Sequence, residues 1–139
     1  MYHILLIEDN PAHAKLMFRH LTKMGDYLRA THLTDGEAAY DYLLNCDFAH
    51  DPIHLILLDL RLPRIDGIEL LRRIRSKPIS LQVPVVVLTS SERDEDIREA
   101  YAAGANSYLV KPVAYDKVQE LIEQLTSYWF QHNRMPSMP

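Results

Sequence analysis

The chain has a single cysteine, no long apolar run and no excess of positive charge among its 139 residues. Because Cys46 has no partner within the chain, no internal disulfide can form, and a reducing compartment is expected. No apolar stretch approaches the ~20 residues that span a bilayer, and no basic segment followed by an apolar leader opens the chain. A formal net charge of -4 argues against direct binding of nucleic acid. These absences predict a cytoplasmic protein that contacts neither membrane nor nucleic acid.

Short apolar runs alternate with amphipathic segments, a pattern typical of an α/β domain with a parallel sheet. Hydrophobic residues make up 47% of the chain, which suits one well-packed core. The predicted strands are residues 2–7, 27–33, 53–58, 85–88 and 107–110. The predicted helices begin at Pro11, Gly36, Gly67, Asp94 and Ala114, and the last ends near Phe130. Polar or proline-containing connections are expected at 46–52, 60–66 and 76–81. We therefore expect a domain over residues 1–130 and a C-terminal tail over 131–139.

Polar side chains of particular kinds stand at the ends of four apolar runs. These side chains are Glu8 and Asp9 after the first run, Asp59 after 56–58, Thr89 after 85–88, and Lys111 after the last. Because the carboxyl ends of parallel strands form one edge of the sheet, where ligands bind, we expect a single pocket. Three carboxylates, a lysine and a hydroxyl suit a divalent cation and a phosphoryl group.

The carboxylates are candidate ligands for Mg²⁺, which takes oxygen ligands in octahedral geometry and keeps several waters. Asp9 and Asp59 are each predicted to give one carboxylate oxygen, and Glu8 to bind directly or through water. Arg61 is predicted to add its main-chain carbonyl. Because three close carboxylates repel one another, a bound cation lowers the cost of keeping all of them ionised. Mg²⁺ is therefore the predicted cofactor.

Asp59 is the predicted nucleophile, because a carboxylate can attack phosphorus to give an aspartyl phosphate. Lys111 would neutralise charge on the transferring oxygens, and Thr89 would hydrogen-bond the attached phosphoryl group. The bond between Lys111 and Pro112 is a candidate cis peptide, since X-Pro bonds are the common place for one. A cis bond there would turn the lysine side chain into the pocket.

Together these residues resemble the receiver domain of two-component response regulators, over residues 2 to about 126. The signature consists of Glu8-Asp9, Asp59, Thr89 and Lys111-Pro112, with Pro63 and Asp66-Gly67 spaced as in the family's Asp-x-x-x-Pro-x-x-x-Gly stretch. The resemblance implies a flavodoxin-like, doubly wound, five-stranded parallel sheet in the order 2-1-3-4-5, with five helices. It also implies that a sensor histidine kinase donates a phosphoryl group to Asp59 in the presence of Mg²⁺.

The same resemblance implies a signalling switch rather than an enzyme. Thr89 moves toward the phosphoryl group and Tyr108, an aromatic residue on the fifth strand, turns inward. The surface of the fourth helix, fifth strand and fifth helix then changes for a downstream protein that the sequence does not name. Because the chain opens directly before the first strand and its tail is too short for a DNA-binding domain, we expect a stand-alone regulator.

A narrower resemblance lies in the connection Cys46–His50 and in the helix end Ser127–Phe130. Both are similar to the single-domain regulators that partner cyanobacterial and bacterial phytochromes. This resemblance implies a phytochrome as the histidine kinase, and a homodimer. The predicted dimer-interface residues are aromatic: Tyr128, Trp129 and Phe130, with Tyr108.

Three other functions stay open. An aspartate-based phosphohydrolase normally has a second aspartate two residues after the nucleophile, where this chain has Arg61. A flavodoxin-type flavin carrier needs a loop rich in Ser, Thr and Gly where this chain has an acidic segment at 8–11. A receiver that binds partners without accepting phosphate would not need Asp59, Asp9 and Lys111 intact. The seven histidines are scattered without metal-ligand spacing and are expected to be surface or structural residues.

Overall fold

The computed structural model describes residues 1–77 and 82–136, and in them a parallel sheet lies between two layers of helices. The strands are β1 (Tyr2–Ile7), β2 (Leu28–Leu33), β3 (Leu55–Leu58), β4 (Val85–Thr89) and β5 (Ser107–Val110). The helices are α1 (Pro11–Thr22), α2 (Gly36–Asn45), α3 (Gly67–Arg75), α4 (Asp94–Ala103) and α5 (Tyr115–Ser127). Neighbouring strands pair in parallel in the order β2-β1-β3-β4-β5, which confirms the predicted flavodoxin-like topology. Among the described residues, no helix has the length and apolar character needed to cross a membrane.

Alternate residues of β1 pack on opposite faces of the sheet. Ile4 and Leu6 belong to a buried cluster with α1 and α5, whereas Leu5 and Ile7 belong to one with α2 and α3. The strands β3 and β4 are buried along their whole length, which explains why both are continuous apolar runs in the sequence. Burying one Leu or Ile side chain stabilises the fold by about 1.5–3 kcal/mol. This core fixes the carboxyl ends of the strands, where the polar residues stand.

Polar side chains begin three helices at the predicted positions. The Asn10 side-chain oxygen accepts hydrogen bonds from the N–H groups of Ala12 and His13, at 3.0 and 3.1 Å. Asp35 caps α2 and Asp66 caps α3 in the same way. Each cap satisfies an N–H group that the first turn of a helix leaves unpaired. The first turn of α1 is thereby held close to the carboxyl end of β1.

Several boundaries differ from the prediction. The strand β2 begins at Leu28 rather than residue 27, and β3 begins at Leu55 rather than residue 53. The connection 46–52 is not wholly polar, because Phe48 is 3% exposed and packs into the cluster of α2 and α3. Residues 78–81 of the predicted loop 76–81 lie outside the described residues.

The last helix also ends differently from the prediction. After Ser127 the chain continues into a π-helical turn, Tyr128–His132, which ends two residues beyond the expected Phe130. The N–H of Asn133 donates to the Tyr128 carbonyl at 2.6 Å, the five-residue spacing of this turn. Phe130 stacks on Tyr2 of β1 with ring centroids 4.3 Å apart, which ties the helix end to the start of the sheet.

Candidate functional site

Three carboxylates meet at the carboxyl edge of the sheet. The strands β1 and β3 lie side by side with Ile7 opposite Leu58, so the residues that follow them, Glu8 and Asp59, are neighbours. The N–H of Asp59 donates to the Ile7 carbonyl at 3.0 Å, which holds the two strand ends together. Ligand oxygens of Glu8, Asp9 and Asp59 all lie within 4.8 Å of one another. The structure therefore brings together the three predicted carboxylates, here called the acidic cluster.

Lys111 enters the acidic cluster from the segment after β5. The main-chain N–H of Lys111 donates to the Thr89 carbonyl at 2.8 Å, so the pairing of β4 with β5 sets the position of this residue. Its ammonium donates to Glu8, to Asp59 Oδ2 at 3.0 Å and to His13 Nδ1 at 3.1 Å. The Lys111 side chain is 8% exposed, and those of Glu8 and Asp59 are as deeply buried. Water and salt therefore screen these ion pairs little.

The peptide bond between Lys111 and Pro112 is trans, and no peptide bond among the described residues is cis. The prediction of a cis bond was wrong. The lysine side chain reaches the pocket from a trans peptide because its main chain continues the pairing of β5 with β4. Pro112 lines a small, mostly apolar cavity between α1 and α5, next to Leu16 and Leu88.

Burial and charge shift the pKa values of Glu8 and Asp59 in opposite directions. Burial raises the pKa of Glu8 to about 7, and the carboxylate of Asp59 adds to the rise against the opposing effect of Lys111. Burial acts in the same direction on Asp59, but hydrogen bonding from Glu8 and the charge of Lys111 outweigh it and lower the pKa of Asp59. Without a bound cation, Asp59 is thus ionised at neutral pH, whereas Glu8 takes up a proton as the pH falls through about 7.

Thr89 ends β4 at the same edge of the sheet, with a fully buried side chain. Its hydroxyl oxygen has no hydrogen-bond partner among the described residues. A buried hydroxyl without a partner costs free energy, which an incoming oxygen atom would recover by accepting from it. Tyr108 lies on the neighbouring β5, and its hydroxyl donates to the Ser91 carbonyl at 2.9 Å. This bond links β5 to the segment that follows Thr89.

The segment between β3 and α3 constrains the main chain and side chain of Asp59. The N–H of Arg61 donates to Asp59 Oδ1 at 3.1 Å, so both carboxylate oxygens of Asp59 are engaged when Lys111 is counted. The Gly67 N–H donates to the Leu60 carbonyl at 3.0 Å. A Cβ on Gly67 would lie 2.6 Å from the carbonyl oxygen of Asp59, so this close approach requires glycine. The ligand role of the Arg61 carbonyl stays a prediction.

His13 is a site residue that the sequence did not reveal. Together with the other histidines it was expected to be a surface or structural residue, yet its Nδ1 lies 3.1 Å from Lys111 Nζ and 3.8 Å from Glu8. The signal for it is its position in the first turn of α1, three residues after the Asn10 cap. A helix that follows a strand of a parallel sheet begins at the carboxyl edge, so its first turn lies beside the site.

The aromatic helix end lies at the opposite edge of the sheet. Phe130 contacts Tyr2 at the start of β1 and is 8% exposed, so it belongs to the core of its own chain. Tyr128 is 53% exposed, and its ring meets that of Trp129 edge-on, with centroids 5.3 Å apart. Tyr128 and the partly buried Trp129 are therefore the aromatic groups that this helix end offers to the surface. They take no part in the acidic cluster.

The donors of the site fit a small divalent cation that prefers oxygen. Within the described part of the chain, the acidic cluster offers carboxylate oxygens and neither histidine nitrogen nor cysteine sulfur. Lys111 supplies a buried positive charge and Thr89 a hydroxyl without a partner. Both suit the oxygens of a phosphoryl group placed next to Asp59.

Comparison with known families agrees with this geometry. The family model of the response regulator receiver domain matches residues 4–123. The chain belongs to this family. Receiver domains take phosphoryl groups from histidine kinases, and they act as signalling proteins.

Individual receiver proteins match over nearly the whole chain. "Probable methanogenesis regulatory protein FilR2" of Methanothrix harundinacea is 43% identical over 96% of this chain and 86% of its own length. Response regulator Rcp1 of Synechocystis sp. is 33% identical over 96% of this chain and 92% of its own. The crystal structure of its Mn²⁺-bound form has a TM-score of 0.88 at 32% identity, over 99% of this chain and 100% of that one. The crystal structure of the phosphorylated cyanobacterial phytochrome response regulator RcpA has a TM-score of 0.90 at 32% identity, over 98% of this chain and 99% of that one. The chain is thus similar to stand-alone phytochrome response regulators.

Proposed function

We propose that this chain is a single-domain response regulator in which Asp59 accepts a phosphoryl group from the phosphohistidine of a sensor histidine kinase. The observation that carries the proposal is the ammonium of Lys111, held between the buried carboxylates of Glu8 and Asp59. Buried ion pairs contribute little net stability, because desolvation offsets their attraction. Function therefore explains this gathering of charges better than folding does.

In the proposed reaction, an oxygen of the ionised Asp59 forms a bond to phosphorus. The bond between phosphorus and the donor histidine nitrogen breaks, its electron pair returns to the imidazole, and an aspartyl phosphate results. Lys111, 3.0 Å from Asp59, is close enough to donate to an oxygen of the arriving phosphoryl group. The hydroxyl of Thr89 has no other partner within the described chain and would donate to the attached group.

Mg²⁺ is the proposed cofactor, held by Glu8, Asp9 and Asp59 with the main-chain carbonyl of Arg61. When bound, it would neutralise charge on the phosphoryl oxygens. The oxygen-only donor set supports this choice, and so does the Mn²⁺-bound form of Rcp1, because Mn²⁺ and Mg²⁺ accept similar oxygen ligands. Below about pH 7 Glu8 holds a proton, and a directly bound cation would replace it.

Phosphorylation would switch the surface around β5. Added negative charge would attract the Thr89 hydroxyl, and movement of Thr89 would favour the inward position of the Tyr108 ring. The Tyr108 ring already packs beside Leu60, Val87 and Ala100, and the bond from its hydroxyl to the Ser91 carbonyl would hold it there. The altered surface of α4, β5 and α5 would then bind a downstream protein.

The proposal extends to partners and organisation. A phytochrome is the proposed kinase, which similarity to Rcp1 and RcpA supports. The 43% identity with FilR2 supports a second candidate, a sensor kinase of another kind. The proposal also includes a receiver domain at 1–130 with a tail at 131–139, a cytoplasmic location, and a homodimer. The outward-facing Tyr128 and Trp129, with Tyr108, would form the dimer interface.

The first test is intact mass after incubation with acetyl phosphate and Mg²⁺, for the wild type and for Asp59→Asn. We expect the wild type to gain one phosphoryl group and the variant to gain none, because the amide is not a nucleophile toward phosphorus. EDTA should abolish the gain. An equal gain in both proteins would assign the acceptor to another residue. No gain in the wild type, with acetyl phosphate or with a purified kinase, would instead leave a binding module that works without phosphate.

A further inference from the structure

The ammonium of Lys111 has three hydrogens, and the structure gives it three acceptors. Two are carboxylate oxygens, of Glu8 and of Asp59, and the third is Nδ1 of His13 at 3.1 Å. A lysine ammonium can donate but cannot accept. Nδ1 must therefore offer a lone pair, which assigns the ring proton of a neutral His13 to Nε2. The contact is thus an oriented hydrogen bond.

His13 differs from the other two acceptors because it lies outside the acidic cluster. Glu8 and Asp59 would hold a cation, and Asp59 would carry the phosphoryl group, so both must share or give up their bonds to Lys111 during the reaction. The position of His13 depends on α1 instead, because its main-chain N–H donates to Asn10 Oδ1 at 3.1 Å. Its bond to Lys111 can therefore persist while the other two change.

We infer that His13 is a positioning residue for Lys111, whose Nδ1 anchors the ammonium at the place where the phosphoryl oxygens arrive. The inference rests on the proposed function of Asp59. The lysine ammonium ends a flexible four-carbon stem, and without a neutral anchor two carboxylates alone determine its position. A shift of such a group by about 1 Å can slow a reaction by about 100-fold.

Two substitutions at His13 separate the acceptor from the bulk of the side chain. His13→Asn keeps a neutral acceptor at the δ position, whereas His13→Leu has nearly the same volume and no acceptor. Because leucine is the better helix former, any general effect on the stability of α1 would favour the leucine variant. If His13→Leu loses activity and His13→Asn keeps it, the loss therefore cannot come from a change in helix stability.

The experiment compares the rates of phosphoryl gain from acetyl phosphate with Mg²⁺ in the wild type and both variants. A small donor removes any contribution from contacts between a kinase and α1. We expect His13→Leu to react about tenfold more slowly and His13→Asn to stay within about threefold of the wild type. In parallel, ¹⁵N NMR of the Lys111 ammonium is recorded in EDTA. The signal should be observed in the wild type and in His13→Asn, and be lost to solvent exchange in His13→Leu.

The outcomes are distinguishable from failure of the proposed function. If the wild type reacts and His13→Leu reacts at the same rate, or if both variants are slowed equally, the inference is overturned while Asp59 keeps its role. An ammonium signal that is unchanged in His13→Leu also overturns it. A wild type that gains no phosphoryl group overturns the proposed function, and the inference with it.

Discussion

Glu8 is the residue whose charge depends most on what else the site contains. It is 1% exposed, and burial is the main reason that its pKa rises from 4.5 to about 7. Between these two values the folded protein binds a proton that the unfolded chain has released. Folding therefore takes up a proton, and the stability contributed by Glu8 is lost as pH rises through this window. A divalent cation should reverse the effect, because it binds the ionised carboxylate.

We expect Glu8→Gln to remove this pH dependence, because a neutral amide resembles the protonated carboxyl group at every pH. In urea unfolding with EDTA, the wild type should lose up to about 3 kcal/mol relative to the variant between pH 5 and pH 8. The contributions of histidines that do not contact the Glu8 side chain are common to both proteins and cancel in the difference. His13, whose Nδ1 lies 3.8 Å from Glu8 Oε1, is the one histidine among the described residues near that side chain. Added Mg²⁺ should stabilise the wild type more at pH 8 than at pH 6, and should stabilise the variant little at either pH.

Two results would contradict this account of Glu8. Parallel stability curves for the two proteins would mean that the folded state does not retain the Glu8 proton above pH 4.5. Equal stabilisation of both proteins by Mg²⁺ would mean that Glu8 is not a ligand and that Asp9 and Asp59 suffice.

Sequence patterns predicted the helices and strands whose positions depend on neighbouring residues. The start of α1 at Pro11 and the apolar run 56–58 of β3 each depend on neighbouring residues, and the structure has both as predicted. The same signals placed Asp59 and Lys111 at strand ends, because a parallel sheet brings those ends to one edge. Helices α2 and α3 bury Phe48, which no pattern in 46–52 indicates.

The remaining site features depend on contacts between distant parts of the chain. The bond between His13 and Lys111 joins residues 98 positions apart, and no periodicity encodes it. The stacking of Phe130 on Tyr2 joins the two ends of the chain in the same manner. The X-Pro sequence permits either isomer, so the trans bond before Pro112 was not determined by the local sequence.

The start of α3 offers a test of how an element positions Asp59. In Gly67→Ala, the added methyl group would lie 2.5 Å from the Leu60 Cα and 2.6 Å from the Asp59 carbonyl oxygen, and both are main-chain atoms. We expect a loss of about 2 kcal/mol in the free energy of unfolding and slower phosphorylation, because Asp59 must shift. The measurements are urea unfolding and the rate of mass gain from acetyl phosphate.

Gly104→Ala is the matched control for this change. Gly104 has a φ of 110°, and a methyl group there would lie 2.6 Å from the side chain of Arg75. The left-handed backbone costs an alanine roughly 1–2 kcal/mol, so the variant should be destabilised to a similar extent. Since Gly104 ends α4 away from Asp59, its phosphorylation rate should match that of the wild type. Equal slowing in the two variants would attribute the effect of Gly67→Ala to general destabilisation.

For the whole molecule, the two edges of the sheet have different chemistry. The carboxyl edge holds the acidic cluster, whereas Tyr2 and Phe130 close the other edge with aromatic packing. Between them, the side formed by α4, β5 and α5 exposes large apolar or aromatic side chains. The exposed residues on this side are Tyr101, Val110, Val113, Tyr115 and Tyr128. Exposed apolar groups on one side are typical of an interaction surface, and this side includes β5, which is followed by Lys111, a contact of Asp59.

We expect two copies to associate through the part of this surface around Tyr128 and Trp129. A cavity of about 200 Å³ lies beside them, lined by Leu109, Leu121 and Leu125. Tyr128→Arg should weaken association at least about tenfold, because it places a charge in an aromatic contact without disturbing the monomer core. Leu44→Arg is the control, since Leu44 is 47% exposed on α2, on the other face of the sheet. Light scattering over a range of concentrations, with and without a beryllofluoride phosphate mimic, measures both variants.

The phosphate mimic decides how such a dimer would relate to the switch. If it strengthens association of the wild type but not of Tyr128→Arg, movement of Tyr108 on β5 is coupled to the interface, because both lie on the side that phosphorylation rearranges. If association is the same with and without the mimic, the dimer is constitutive and is not coupled to the switch. A wild type that stays monomeric at the highest concentration in both conditions would exclude the dimer. The exposed Tyr128 and the partly buried Trp129 would then be available to a partner of another kind.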